Sequence, residues 1–126
     1  MTKRTEVYRC SVCGAVVEVL SGGGGTLHCC GQPMERLEEH VKEAGVEKHL
    51  PVVEQVVGGY RVKVGQVLHP MQAEHHIEWI ELLTPCGVQH QQLHATGKPE
   101  AIFLTTESPI AARAYCNLHG LWRSDL

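Results

Sequence analysis

The sequence predicts a mainly β protein, with a small metal-stabilised domain over residues 1–37 followed by an antiparallel β-sandwich over residues 38–126 that has a linker at its start. Three observations carry this expectation. From Pro51 onward, short Val-rich runs alternate apolar and polar residues with period two, as half-buried strands do. Turn formers punctuate them, with 13 Gly and 6 Pro in 126 residues. The first 37 residues hold Cys10, Cys13, Cys29 and Cys30 but too little apolar surface to fold without a metal.

The elements follow in chain order. Val16-Val17-Glu18-Val19-Leu20 and Thr26-Leu27-His28-Cys29 read as short strands either side of Gly22-Gly23-Gly24-Gly25, the one low-complexity segment. Residues 35–45, rich in Glu and Lys, read as a linker with one loose turn. Residues 52–57 and 60–64 make a hairpin, with Gly58-Gly59 expected to supply the positive φ angles of a tight turn. Further strands are expected over 77–83, 88–93, 101–105 and 111–116. With no helix between them, such strands pair antiparallel and close into a sandwich.

Composition narrows the function. A chain of this length has room for one modest core and a miniature domain, which excludes a large multidomain enzyme. A net charge of -3 without clustered Lys and Arg counts against a nucleic-acid surface. No apolar run reaches the roughly 20 residues of a membrane-spanning helix, and Met1 to Glu6 lead into no signal-like apolar segment. A cytoplasmic protein with no membrane contact is therefore expected. Six Cys and nine His in such a chain point to metal ligands before disulfides, because cytosolic thiols are kept reduced.

The first constellation is Cys10-x2-Cys13-Gly14 with Cys29-Cys30. A Cys-x2-Cys-Gly turn aims two thiolates at one point while backbone N–H groups face the sulfurs, and a second pair completes a tetrahedral site. Two sulfurs on consecutive residues do not both fit the ordinary knuckle, so a distorted tetrahedron is expected. Zinc tolerates that as well as iron does, and the spacing alone does not choose between them.

The second constellation is scattered: Glu47-Lys48-His49-x-Pro51, His69-Pro70-Met71, His75-His76-Ile77-Glu78-Trp79 and Tyr115-Cys116-Asn117-Leu118-His119-Gly120. Loops at one end of a sandwich bring such segments together. Strand parity puts His75 with Ile77 and Trp79, and His76 with Glu78 and Ile80; this leans towards His75 as a ligand without deciding it. His28, His40, His90 and His94 read as surface or satisfied core residues, and Cys86 as a free thiol in a turn.

With these residues assembled, the chain resembles the desulfoferrodoxins, the two-iron form of superoxide reductase, over nearly its whole length. The matching motifs are Cys10-x2-Cys13 with Cys29-Cys30, Glu47-Lys48-His49-x-Pro51, His69-Pro70-Met71, His75-x-Ile77-x-Trp79 and Cys116-Asn117-x-His119-Gly120-x-Trp122. The resemblance implies a desulforedoxin-like N-terminal domain with an Fe(Cys)4 centre, an immunoglobulin-like β-sandwich with a catalytic iron, and a homodimer. It also implies that His49, His69, His75 and His119 ligate the catalytic iron in one plane, with Cys116 on the axis. His76 stands where relatives often have Tyr, and Ala114 where an acidic residue is common; neither is a ligand.

The implied reaction is one-electron reduction of superoxide to hydrogen peroxide, with electrons from rubredoxin or a similar small carrier. Four neutral imidazoles and one thiolate leave +1 on ferrous iron and one octahedral position open for a small anion. Lys48 is suited to attract superoxide and to organise hydrogen bonds beside it, and Glu47 to close the open position of the oxidised form. Two other readings share some features. A cupredoxin-like electron carrier would use His, Cys-x2-His and Met71, but four candidate His exceed its needs. A zinc-ribbon module on a sandwich would use the four N-terminal Cys alone.

Overall fold

The computed structural model describes residues 1–43 and 48–126. The described residues form thirteen β-strands and no helix, in two compact units, Met1–Glu38 and Glu39–Leu126.

In the first unit β1 (Val7–Arg9) lies between β2 (Val16–Glu18) and β5 (Glu35–Arg36), antiparallel to both, while β3 (His28–Cys29) and β4 (Gln32–Pro33) form a two-residue ladder. Only Val7, Cys10 and Val19 are buried here, a core too small to define the unit without its cysteine knuckles. Arg36 pairs with Glu6 at 3.0 Å, fixing β5 against the segment that leads into β1.

In the second unit the smaller sheet is β11 (Glu100–Leu104), β8 (Gly59–Val64) and β7 (Pro51–Val56), in that order. The larger runs β10 (Gly87–Gln92), β9 (Ile77–Thr84), β12 (Ala111–Cys116), β13 (Gly120–Asp125) and β6 (Glu39–His40). All neighbours are antiparallel except β6 and β13. Val62, Val64, Ala101 and Phe103 of the smaller sheet meet Ile77, Ile80, Leu82, Ala112, Ala114 and Cys116 of the larger in one core. This is the expected sandwich. Ala114 is fully buried in it, a place where an acidic side chain would lose its water.

Four expectations need correction. Residues 35–45 are not a bare linker, because Glu35–Arg36 joins β1 and Glu39–His40 joins β13. Strands of two residues show no periodicity, so only their partners define them. Gly120–Asp125 is a full strand that the sequence does not announce; Leu121 and Trp122 are its only apolar pair, and it forms by pairing along all of β12. In the hairpin only Gly58 has a positive φ, 82°, whereas Gly59 is a strand residue whose missing Cβ lets the Phe103 carbonyl of β11 approach. Lastly, Ile77 and Trp79 do not share a face. β9 slips one residue against β12, so that Cys116 pairs with Ile77 while Tyr115 pairs with Trp79, and Glu78 is the extra residue. Ile77 therefore joins Ile80 and Leu82 in the core, while Trp79 stacks on Tyr115 with ring centres 5.6 Å apart.

Candidate metal centres

Cys116, the last residue of β12, faces inward in step with Ala112 and Ala114 at the end of the sandwich, where three loops converge. His49 precedes β7, and its N–H together with that of Leu50 donates to the Glu43 carboxylate at 2.8 and 3.1 Å. His69 follows β8; its N–H donates to the Val64 carbonyl at 3.1 Å. Its Nδ1–H donates to the Pro70 carbonyl at 2.7 Å, which directs Nε2 towards Cys116 Sγ, 3.6 Å away. His75 closes a tight turn with Gln72 through two backbone hydrogen bonds just before β9. His119 lies in the turn between β12 and β13, with Nδ1 3.7 Å from Cys116 Sγ and 3.2 Å from His49 Nε2.

These five residues each offer one ligand atom, all within 4.8 Å of one another. Their four imidazoles form a closed circuit: His49 to His69 at 4.7 Å between ring centres, His69 to His75 at 4.7 Å, His75 to His119 at 5.1 Å and His119 to His49 at 4.9 Å. Cys116 Sγ touches His69 and His119, which stand at opposite corners. His49, His69 and Cys116 are buried, His75 is half-buried and His119 is exposed, so the cluster opens to solvent on the His119 side. Four neutral nitrogen donors and one anionic sulfur suit a transition metal and leave room for a sixth ligand.

In the first unit Cys10, Cys13, Cys29 and Cys30 also offer sulfurs within 4.8 Å of one another. Adjacency of the second pair is accommodated by the backbone, for Cys30 takes φ 53° and Gly31 φ 77°, a left-handed pair that turns both thiols to the same point. The Cys13 N–H, aided by that of Val12, lowers the Cys10 thiol to about 6, while the Cys13, Cys10 and Cys30 sulfurs push the Cys29 thiol up to about 12. Four sulfurs so close do not all ionise without a cation, and a bound cation supplies what the last protons would otherwise hold.

Lys48 is half-buried beside His49, and Gly65 backs it: with φ 84°, Gly65 has no room for a Cβ, which would come within 2.7 Å of the Lys48 carbonyl oxygen and 3.0 Å of its Cβ. Glu47 lies outside the described residues. His76 turns from the cluster, bonding the Gln72 carbonyl through Nδ1 at 2.9 Å. His28 bonds Thr26, His90 pairs with Glu81, His94 bonds Thr96 and His40 packs on Trp122, none of them with the five ligand candidates. Met71 is also outside the cluster; its sulfur accepts the Ile77 N–H at 3.4 Å and its side chain packs on the core. Cys86 is exposed in the turn between β9 and β10.

Three supporting residues receive no role from spacing, although Asn117 and Trp122 stand in the motif Cys116-Asn117-x-His119-Gly120-x-Trp122. Glu43 anchors the His49 segment, but nothing in its position separates it from the neighbouring surface acids. Asn117 accepts the His76 N–H at 2.9 Å and donates to the Glu74 carbonyl at 3.0 Å, which ties the His75 turn to the Cys116 turn. Trp122, which closes that motif three residues after His119, stacks on His49.

Two family models match: "Desulfoferrodoxin, N-terminal domain" over residues 2–37 and "Desulfoferrodoxin" over residues 41–125. The chain is 49% identical to the desulfoferrodoxin of Desulfarculus baarsii, covering 99% of each. It is 36% identical to the superoxide reductase of Pyrococcus horikoshii, covering 64% of this chain and 86% of that one. The crystal structure of the superoxide reductase from Treponema pallidum superposes with a TM-score of 0.82 at 30% identity, covering 98% of this chain and 100% of that one. The four-Cys and His4Cys sets fit the two-iron arrangement, one iron for each set.

Proposed function

The chain belongs to the desulfoferrodoxin family, and from that membership we propose that it is a superoxide reductase. One superoxide takes one electron and two protons and leaves as hydrogen peroxide; an external one-electron carrier of the rubredoxin type restores the electron. The observation that carries this reading is the circuit of four imidazoles with Cys116 Sγ touching His69 and His119 at opposite corners. His49, His69, His75, His119 and Cys116 would hold an iron, which would supply the single electron.

The chain's own residues do the rest. Buried His49, His69 and Cys116 keep water from three sides, while exposed His119 leaves an approach for a diatomic anion. Cys116 contributes the negative charge that keeps the centre near +1, electron-rich enough to give an electron away. Lys48, next in the chain to His49 and half-buried, draws the anion in and holds hydrogen-bonding water where protons are needed. Cys10, Cys13, Cys29 and Cys30 would hold a second iron, which would supply a one-electron store. The reading includes a cytoplasmic homodimer; among the described residues no helix is long and apolar enough to cross a membrane.

The test is stoichiometric. Purified protein should contain two irons per chain and show thiolate charge-transfer absorption. Reduced and exposed to superoxide, it should give one hydrogen peroxide per superoxide and no dioxygen. Release of dioxygen with half that peroxide would identify a dismutase, and colourless zinc protein would sink the redox reading altogether.

A further inference from the structure

Trp122 touches two ligand-bearing segments that are about seventy residues apart in the chain. Its indole lies nearly parallel to the His49 imidazole, ring centres 4.5 Å apart and planes at 14°. Its Nε1–H donates to the backbone carbonyl of His119 at 3.1 Å. The residue is 5% exposed and sits in β13, paired with His40 of β6, whose ring packs on the indole at 4.9 Å. Trp122 lies opposite Ala114 of β12, on the inward face of the larger sheet.

From this geometry we propose that Trp122 is a positioning residue for the His4Cys centre: its stacked face fixes the plane of the His49 ring and its N–H fixes the turn that carries His119. An imidazole binds a metal well only when its lone pair points along a narrow direction. A ring free to turn about its χ2 loses part of its encounters to wrong orientations. A flat indole at stacking distance removes that freedom and also excludes water from one side of His49. The hydrogen bond acts on the neighbouring corner of the circuit, since His49 Nε2 and His119 Nδ1 are 3.2 Å apart and each limits where the other can sit. Partners of this kind, one step out from the ligands, change metal affinity by roughly ten- to a hundred-fold when removed.

The inference rests on the reading of this cluster as an iron site, but not on its reaction with superoxide. Its test is made on the full chain loaded with ferrous iron, following removal of iron from the His4Cys site by a chromogenic chelator and recording the electron paramagnetic resonance of the ferric form. Trp122→Leu removes both contacts and should speed iron release about ten-fold or more and broaden or shift the ferric signal. Trp122→Phe keeps an aromatic face for His49 but no donor for the His119 carbonyl, and should fall between. His40→Ala removes packing from the far side and should change neither readout.

A Trp122→Leu protein that is folded, less stable, and yet releases iron like the parent with the same ferric signal would make Trp122 ordinary packing and overturn the proposal. If that variant does not fold, Trp122→Phe decides on the same two readouts, and identity with the parent overturns it. Failure of the superoxide reading would appear elsewhere, as an iron-loaded parent that does not consume superoxide.

Discussion

Arg113 and Glu81 face each other across β12 and β9 with side chains only 2% and 1% exposed, Arg113 Nη2 and Nε donating to Glu81 Oε1 at 2.7 and 3.2 Å. The chain of charges continues outward: Arg113 Nη1 reaches Glu39 at 3.1 Å, Arg123 reaches the same carboxylate at 3.2 Å, and His90 Nδ1 lies 2.9 Å from the other Glu81 oxygen. Glu39 belongs to β6, so the buried pair anchors the strand that carries His40 up to Trp122.

Removing one member of such a pair strands a charge away from water, which costs about 3–5 kcal/mol. Arg113→Met should therefore lower the chemical denaturation midpoint of the sandwich by up to that loss, since Glu81 keeps its contact with His90 at 2.9 Å. Arg113→Met combined with Glu81→Leu should recover a large part of it, because no buried carboxylate then remains. Losses that merely add in the double variant would show that the two groups do not act as a pair.

The four-Cys set organises the first unit and contributes no ligand to the His4Cys cluster. Cys13→Ser should abolish the iron absorption of that set and loosen residues 1–37, while the sandwich keeps its own iron and its reaction with superoxide. Metal analysis and difference absorption spectra check both. Loss of the second iron in the same variant would mean that the two centres are not independent.

What the sequence disclosed, and what it hid, follows from range. The cysteine knuckles and the Val-rich strands of the smaller sheet are local patterns, spelled by spacing and period. The five candidate ligands were legible through the family resemblance that several short motifs carry in order, whereas the residues alone left His75 and His76 undivided. β13 and β6 were not legible: Gly120–Asp125 has no alternation of its own and becomes a strand only because β12 offers a full ladder. Nor could parity predict the Glu78 slip, which reverses the facing of Ile77 relative to Trp79 and is set by pairing with a strand some forty residues later. Glu43 hid for another reason, since one carboxylate in an acidic segment looks like the next until a backbone N–H is found on it.

The tandem histidines divide cleanly. His75 contributes to the imidazole circuit, whereas His76 bonds backbone at Gln72. His75→Ala should empty or strongly perturb the catalytic iron, and His76→Tyr should leave iron content and visible spectrum nearly unchanged. The reverse pattern would assign the wrong member of the pair.

Cys86 belongs to neither ligand set and gives a pH-dependent handle. Its Sγ donates to Glu107 Oε1 at 3.1 Å, and this hydrogen bond, together with the carboxylate charge, raises the thiol above its ordinary value. Alkylation proceeds through the thiolate, so a raised pKa means a smaller reactive fraction at a given pH and a rate profile displaced to higher pH. In the iron-loaded protein, Glu107→Gln removes the anion, moves the profile to lower pH and speeds alkylation at pH 8 severalfold. Mass spectrometry of the modified peptide reads this directly. A profile indifferent to Glu107 would show that the carboxylate does not govern the thiol.

Lys48 separates steering from mere surface charge. A cation at the rim raises the encounter rate with an anion, and the gain shrinks as salt shortens the Debye length to about 10 Å at 0.1 M. Lys48→Ile should lower the second-order rate with superoxide by roughly ten-fold or more and flatten its salt dependence, the iron and its ligands staying in place. Gly65→Ala offers an independent arm, because the added Cβ would push on the Val67 carbonyl and the Lys48 backbone in a left-handed turn and leave the Lys48 charge in place. It should lower the rate while keeping a salt slope of the parent's sign. Pulse radiolysis of the reduced proteins at several ionic strengths measures both quantities. A Lys48→Ile rate and slope equal to the parent's would reduce Lys48 to a solvated side chain and leave the five ligands as the whole of the superoxide site.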